Sequence, residues 1–214
     1  KTVCGNTIEQ LERAKETAPS IEGKLPVIFT PLGVASTLLM PLAMAVNGKT
    51  VLQGASPLGH RKGEQVFDKG LSIWDDPTIA YRPGSRFCDD EGVPSQRTSL
   101  VAKGVVANFL YDLQTAALAG TKSTGSGSRS LASLPSPSLS AIVIEEGDVS
   151  FEDMLADIKE GLVVEELMGA SMGNVLGGDF SGNVLLGYRV RDGKLVGRVK
   201  DTMVTGNRNR RWTR

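Results

Sequence analysis

Apolar and polar positions alternate along this chain with two periods, and each period predicts a different element. Thr7 and Gln10 have capping-box spacing, and Ile8, Leu11, Ala14 and Ala18 mark one apolar face. That pattern predicts an amphipathic helix over 7–18, closed by Pro19. Leu25 to Thr30 is a short, nearly all-apolar run that reads as a strand, and Thr30-Pro31 then supplies a helix cap with Pro at the first helical position. The helix that follows extends to about Val46. It is apolar almost all round, which predicts burial, and Pro41 should kink or divide it.

From Gly48 to Gly70 the chain is polar and Gly-rich, the pattern of a long loop. Leu71 to Trp74 reads as a strand stopped by Asp75-Asp76-Pro77. Thr98 to Ala102 and Val105 to Leu110, joined through Lys103-Gly104, read as a hairpin, and Tyr111 to Ala119 as a helix ended by Gly120. Residues 121–140 hold eight Ser, two Gly and two Pro with few large apolar groups, and predict a mobile Ser-rich loop. Ser150 then caps a helix on which Phe151, Met154, Leu155, Ile158 and Leu162 repeat at helical spacing, ended by Gly161. Leu162 to Leu167 is a strand, and Leu186 to Val199 a hairpin turning on Asp192-Gly193. The mixture predicts an α+β fold of mixed, largely antiparallel twisted sheets with hairpins and flanking helices.

Composition narrows the function. The 24 Lys plus Arg balance 24 Asp plus Glu, so the net charge is zero and no general field exists to hold a nucleic acid or an anionic membrane. The longest apolar segment, Leu38 to Val46, is about half of what a spanning helix needs. Lys1 to Ala18 is polar and helical in pattern, unlike a signal peptide, and only Cys4 and Cys88 are available for thiol chemistry. Together these features predict a cytoplasmic protein.

Candidate chemistry is sparse. Gly169-Ala170-Ser171-Met172-Gly173 matches the nucleophile-elbow pattern, but that motif requires a following Asp and His, and the sole His is His60, upstream in a loop. His60 sits beside Arg61 and Lys62, which oppose a bound metal. Phe87-Cys88-Asp89-Asp90-Glu91 offers a thiol and three acids, yet neighbouring residues on a strand face alternate sides and do not converge, so a solvated acidic turn is the simpler reading. Thr121 to Arg129 has the small residues and two cations of an anion-binding loop without the phosphate-loop spacing. The end of the chain, 207–214, is an atypical Arg-rich tail with four Arg in its last seven residues.

Several blocks in order carry a resemblance. Asp89-Asp90-Glu91-Gly92-Val93-Pro94, Ala107 to Ala117, Ser123-Thr124-Gly125, Ile144 to Asp148, Gly161 to Gly169, Gly178-Asp179-Phe180-Ser181-Gly182 and Gly187-Tyr188 to Asp192-Gly193 resemble successive motifs of the TldD/PmbA family. That resemblance spans about 120 residues, weakens before residue 70, and implies that 1–214 is a C-terminal domain without the family's N-terminal domain. It further implies a two-subunit metallopeptidase, historically called a modulator of DNA gyrase, that processes or degrades unfolded peptides.

In the family, the TldD-like subunit carries His-Glu-x-x-x-His on a helix. Placing the motif on this chain puts Met40 and Pro41 at the first His and Glu, and Ala45 at the second His. The resemblance therefore implies a PmbA/TldE-like non-catalytic subunit with no catalytic residue, metal ligand or cofactor of its own. Zinc is expected in a TldD-like partner, the other possible partner being a second copy in a homodimer. The peptide is expected against Ser123, Thr124, Gly125 and Arg129 of the Ser-rich segment and against Asp179 and Ser181 of a turn at 178–182. The alternative is a stand-alone binding or regulatory protein acting on gyrase.

Overall fold

A computed structural model describes residues 3–170 and 179–207 of the chain. These fall into two compact units. The first contains 3–40, 148–170 and 179–207, and the second contains 41–147.

The chain enters the first unit with helix α1 (Val3–Arg13), which buries none of its residues. The predicted extension to residue 18 is not seen, because Thr17–Ala18 forms strand β1, parallel to Arg198 and Val199. Two causes act together. Pro19 biases Ala18 toward extended backbone, and the Glu16 carbonyl accepts from the Arg198 N–H at 2.8 Å.

Strand β2 (Val27–Phe29) leads into α2 (Pro31–Val34), with the Thr30 hydroxyl accepting from the Gly33 N–H as the sequence predicts. The apolar run then divides as Pro41 demands: Ala35–Leu39 is π-helical and α3 (Met40–Ala45) is α-helical. Proline gives no N–H to the preceding turn and its ring crowds the carbonyl four residues back, so wide turns directly before it relieve the ladder. Burial is less complete than predicted, since Leu32, Met40 and Met44 remain exposed.

In the second unit the segment predicted as a loop begins with a helical turn, α4 (Gly48–Leu52), capped by the Asn47 carboxamide oxygen. Strands β3 (Ile73–Asp75), β4 (Thr98–Ala102) and β5 (Val105–Val106) follow. The β4–β5 hairpin turns on Lys103 and Gly104, both at positive φ, as a two-residue primed turn requires. Helix α5 (Leu113–Leu118) starts at a capping box of Asp112 and Thr115, which consumes the hydroxyl and the carboxylate locally. Short strands β6 (Gly127–Ser128) and β7 (Ser136–Pro137) pair with each other, and β8 (Ile142–Ile144) closes an antiparallel sheet ordered β5-β4-β3-β8. Its core gathers Leu42, Val46, Ile73, Leu100, Val101, Val106 and Leu110, apolar positions of the predicted helix, the strand at 71–74 and the hairpin.

The chain returns to the first unit at α6 (Phe151–Ala156), capped by Ser150. This helix stops well before the predicted Gly161, and strand β9 (Glu160–Met168) has already begun there. The Ile158 and Lys159 carbonyls accept instead from Gly193 and Asp192, and a Cβ at Gly161 would sit 2.6 Å from the Pro26 carbonyl. Long strand β10 (Asp179–Arg191) and β11 (Lys194–Val199) make the predicted hairpin, with Asp192 and Gly193 at positive φ. Strand β12 (Met203–Asn207) ends the described chain. The sheet order is β1-β11-β10-β9-β2, and β12 pairs with the first half of β10 on the flank that β11 takes on the second. Parallel pairs at β1–β11 and β2–β9 frame an antiparallel centre, so the fold is α+β.

Candidate functional site

The acidic turn predicted to be solvated is a structural anchor. Asp89 is 4% exposed, and its Oδ1 accepts from the N–H groups of Glu91 (3.0 Å) and Val93 (2.9 Å). Its Oδ2 accepts from the Gly127 N–H at 2.8 Å. Asp90 accepts from the Arg129 N–H and Glu91 from the Leu113 N–H, each at 2.8 Å. Three successive acids thus hold three backbone amides, in two segments, 22 to 39 residues away. Only the second bond of a charged carboxylate to a distant amide distinguishes such an anchor from a turn, and the sequence carries no sign of it.

Those bonds fix the Ser-rich segment. Ser123 Oγ donates to the Tyr111 carbonyl, and Thr124 Oγ1 accepts from the Tyr111 N–H at 2.8 Å while lying 2.8 Å from Ser126 Oγ. Gly125 sits at φ +67°, where a Cβ would also stand 2.5 Å from the Pro94 carbonyl, so the position requires glycine. Arg86 reaches the Gly125 and Gly127 carbonyls, and Asn47 Nδ2 donates to the Pro137 carbonyl at 2.6 Å. At the far end Asp75, 2% exposed, accepts from the N–H groups of Ser140 (2.9 Å) and Ala141 (2.6 Å). Burial pushes the Asp75 carboxyl above its ordinary value, against the downward pull of those two bonds and of Arg86. The hydroxyls of Ser123 and Thr124 are therefore engaged in holding the segment, whereas the Arg129 side chain is exposed.

In the first unit, Asp179 and Ser181 lie on strand β10, not on the predicted turn, opposite Asn207 and Thr205 of β12. Both are exposed. Ser181 Oγ is 3.2 Å from Met203 Sδ, and Phe180 turns inward to meet Phe29 edge-on at 6.3 Å between ring centres. Asp179, Phe180, Ser181, Thr205 and Gly206 line a depression of about 370 Å³. A larger groove of about 560 Å³ is walled by Gly23, Lys24, Leu25 and Val27 on one side and by Met203, Val204 and Thr205 on the other. Thr205 belongs to both. The six predicted peptide-binding residues accordingly divide between the units, four in the second and two in the first.

Side chains at the predicted metal-motif positions do not suit zinc. Met40 is exposed, Pro41 and Ala45 are buried, and none offers an imidazole or carboxylate. Among the described residues no three His, Cys, Asp or Glu side chains come together as a metal site. His60 is exposed, as are Cys4 and Cys88. Ser171 to Gly173 of the G-x-S-x-G sequence and the Arg-rich residues 208–214 lie outside the described residues. No helix among the described residues is long and apolar enough to cross a membrane.

Comparison with known proteins gives these features a family. Residues 22–213 match the model of the PmbA/TldA metallopeptidase C-terminal domain. An uncharacterized protein of Methanocaldococcus jannaschii is 33% identical over 199 residues, covering 92% of this chain and 47% of that protein. A metalloprotease TldD homolog of Haemophilus influenzae is 34% identical over 146 residues, 68% of this chain and 30% of its own. Among solved structures, TldE from Thermococcus kodakarensis superposes with a TM-score of 0.83 at 28% identity, over 97% of this chain and 47% of that one. The chain spans about half, or less, of the length of these relatives. On this match, which runs through nearly all of its residues, the chain belongs to the PmbA/TldD metallopeptidase family, as its C-terminal domain.

Proposed function

We propose that this chain serves as a PmbA/TldE-type subunit that does not itself carry the metal, pairs with a TldD-like metallopeptidase and holds unfolded peptide for cleavage. The observation that carries the reading is the side-chain chemistry of α3. A thioether, a pyrrolidine ring and a methyl group stand at the positions the family resemblance assigns to the metal motif, and none can hold Zn²⁺ or polarise water. The likeness to a solved TldE along 97% of the chain supports the same reading. Asp179 and Ser181, exposed on β10 beside a shallow depression, are the residues proposed to meet the peptide in the first unit. In the second unit, Arg129 is proposed to meet it from the segment that Ser123, Thr124 and Gly125 shape.

Reconstitution tests the proposal. The full-length protein is mixed with a TldD-like subunit, and hydrolysis of an unstructured peptide is followed with and without chelator. The expected result is a stable complex, cleavage only when both subunits are present, and loss of cleavage in chelator. Hydrolysis by this protein alone in chelator, or the absence of any complex, refutes it.

A further inference from the structure

Helix α1 is mounted with its apolar side outward. Cys4, Ile8 and Leu11 stand at i, i+4 and i+7 and so share one helix face, which Val3 borders. Val3 is 83% exposed, Ile8 59% and Leu11 63%, and Cys4 is exposed beside them. Thr7, between Cys4 and Leu11 on the same face, donates its hydroxyl to the Val3 carbonyl at 3.1 Å, so its hydrogen is spent within the helix.

The opposite side of the helix does the holding. Gly5, Glu9 and Gln10 are its half-buried residues, and the Gln10 carbonyl accepts from the Tyr188 hydroxyl of β10 at 3.4 Å. Just past the helix, the Glu16 carbonyl accepts from the Arg198 N–H of β11. An amphipathic helix on a sheet ordinarily turns this pattern round, with its apolar stripe inward and its polar face to water. Here the stripe faces away from its own sheet, and a grouped apolar surface of that kind marks a contact with something else.

From this inverted mounting we infer that the outward face of α1 is the seat of the domain that precedes this one in the full-length protein. Two observations select that occupant. The family match covers 22–213, so α1 lies ahead of the matched C-terminal domain. The chain spans 47% of two of its relatives, and because the matched part is the C-terminal domain, the remainder of each comes before it. Helix α1 therefore sits at the junction, where a short tether holds a preceding domain at high effective concentration. A bilayer suits the face less well, since an interfacial helix lines its polar side with Lys and Arg, whereas this one carries Glu9 and Glu12 beside Arg13. The contact is of the helix-in-groove kind, with Ile8 and Leu11 as anchors in an apolar groove of the preceding domain. It is independent of the peptide-holding reading above.

The test uses the full-length protein without a TldD-like subunit. Cys4 lies on the outward face and is exposed within this domain, so its reaction with a maleimide, followed by mass spectrometry, reports whether the face is covered. In the folded protein Cys4 should label roughly tenfold or more slower than in the urea-unfolded chain. The double substitution Ile8→Asp and Leu11→Asp should bring it close to the unfolded rate. A photoreactive benzoylphenylalanine placed at Thr7, on the same face but outside the anchors, gives a readout independent of whether the double variant folds. It should crosslink within one chain to residues ahead of Lys1, leaving the product at the mass of a monomer. Labelling of Cys4 at the unfolded rate overturns the inference. So do crosslinks confined to residues 1–214 or made to a second copy.

Discussion

Replacing Asp89 by alanine should release the Ser-rich segment from the second unit. The carboxylate holds three backbone N–H groups at 2.8 to 3.0 Å, and one of them, at Gly127, is buried. A charge-assisted bond to a buried amide contributes about 1.5 to 2 kcal/mol net, and the two half-buried turn bonds about 0.5 to 1 kcal/mol each because water can replace the carboxylate there. The sum is about 3 kcal/mol. Truncation to alanine leaves no new partner, since the Glu91 carboxylate is already engaged by Leu113. Hydrogen exchange at the Gly127 and Arg129 amides reads the local opening directly, and about 3 kcal/mol corresponds to exchange roughly 150-fold faster. Tryptic cleavage after Lys122 and Arg129 should quicken in parallel. Exchange at Gly127 within threefold of the parent refutes the anchor role, because it would mean that Asp90 and the β6–β7 ladder hold the segment without Asp89.

Asp75 gives a pH signature of defined sign. Its carboxyl is raised above the ordinary 3.8 by burial, so the folded state binds the proton more tightly than the unfolded state, and stability should fall as pH rises from about that value through the raised one. Asp75→Asn keeps an oxygen for Ser140 and Ala141 without the buried charge, and should abolish that slope in urea titrations across pH 4 to 7; a slope unchanged in the variant refutes the assignment. Gly33→Ala should destabilise the first unit by about 1 to 3 kcal/mol, because its Cβ would lie 2.5 Å from the Val164 carbonyl and α2 would have to lift from β9. A thermal midpoint equal to the parent's would show that the helix shifts freely.

Much of the fold was legible. The Thr30-Pro31 start, the division of the helix at Pro41, the capping residues Asp112 and Ser150 and the hairpins at Lys103-Gly104 and Asp192-Gly193 are all encoded within a few residues of where they act. Errors lay where a distant partner overrode local preference. Residues 17 and 18 continue a helical pattern yet pair with β11, and Ile158 continues the α6 periodicity yet packs with Val163 and Val190 while its carbonyl serves Gly193. The candidate site divides in the same way. Gly125 announces itself as a glycine, but that it is glycine because Pro94 approaches it was not readable.

By itself the sequence determined several helix caps, the division at Pro41, two hairpin turns, and the absence of imidazole or carboxylate at 40, 41 and 45. These follow from backbone stereochemistry and from which atoms a side chain owns, and neither depends on the rest of the chain. Tertiary structure alone decided that Asp75 and Asp89 are buried amide acceptors, and that Asp179 and Ser181 stand on a strand. It also decided that β12 pairs with the first half of β10, on the flank that β11 takes on the second. Each of these depends on a hydrogen-bond partner many residues away, and the free energy of such a bond depends on burial that exists only once the units have folded.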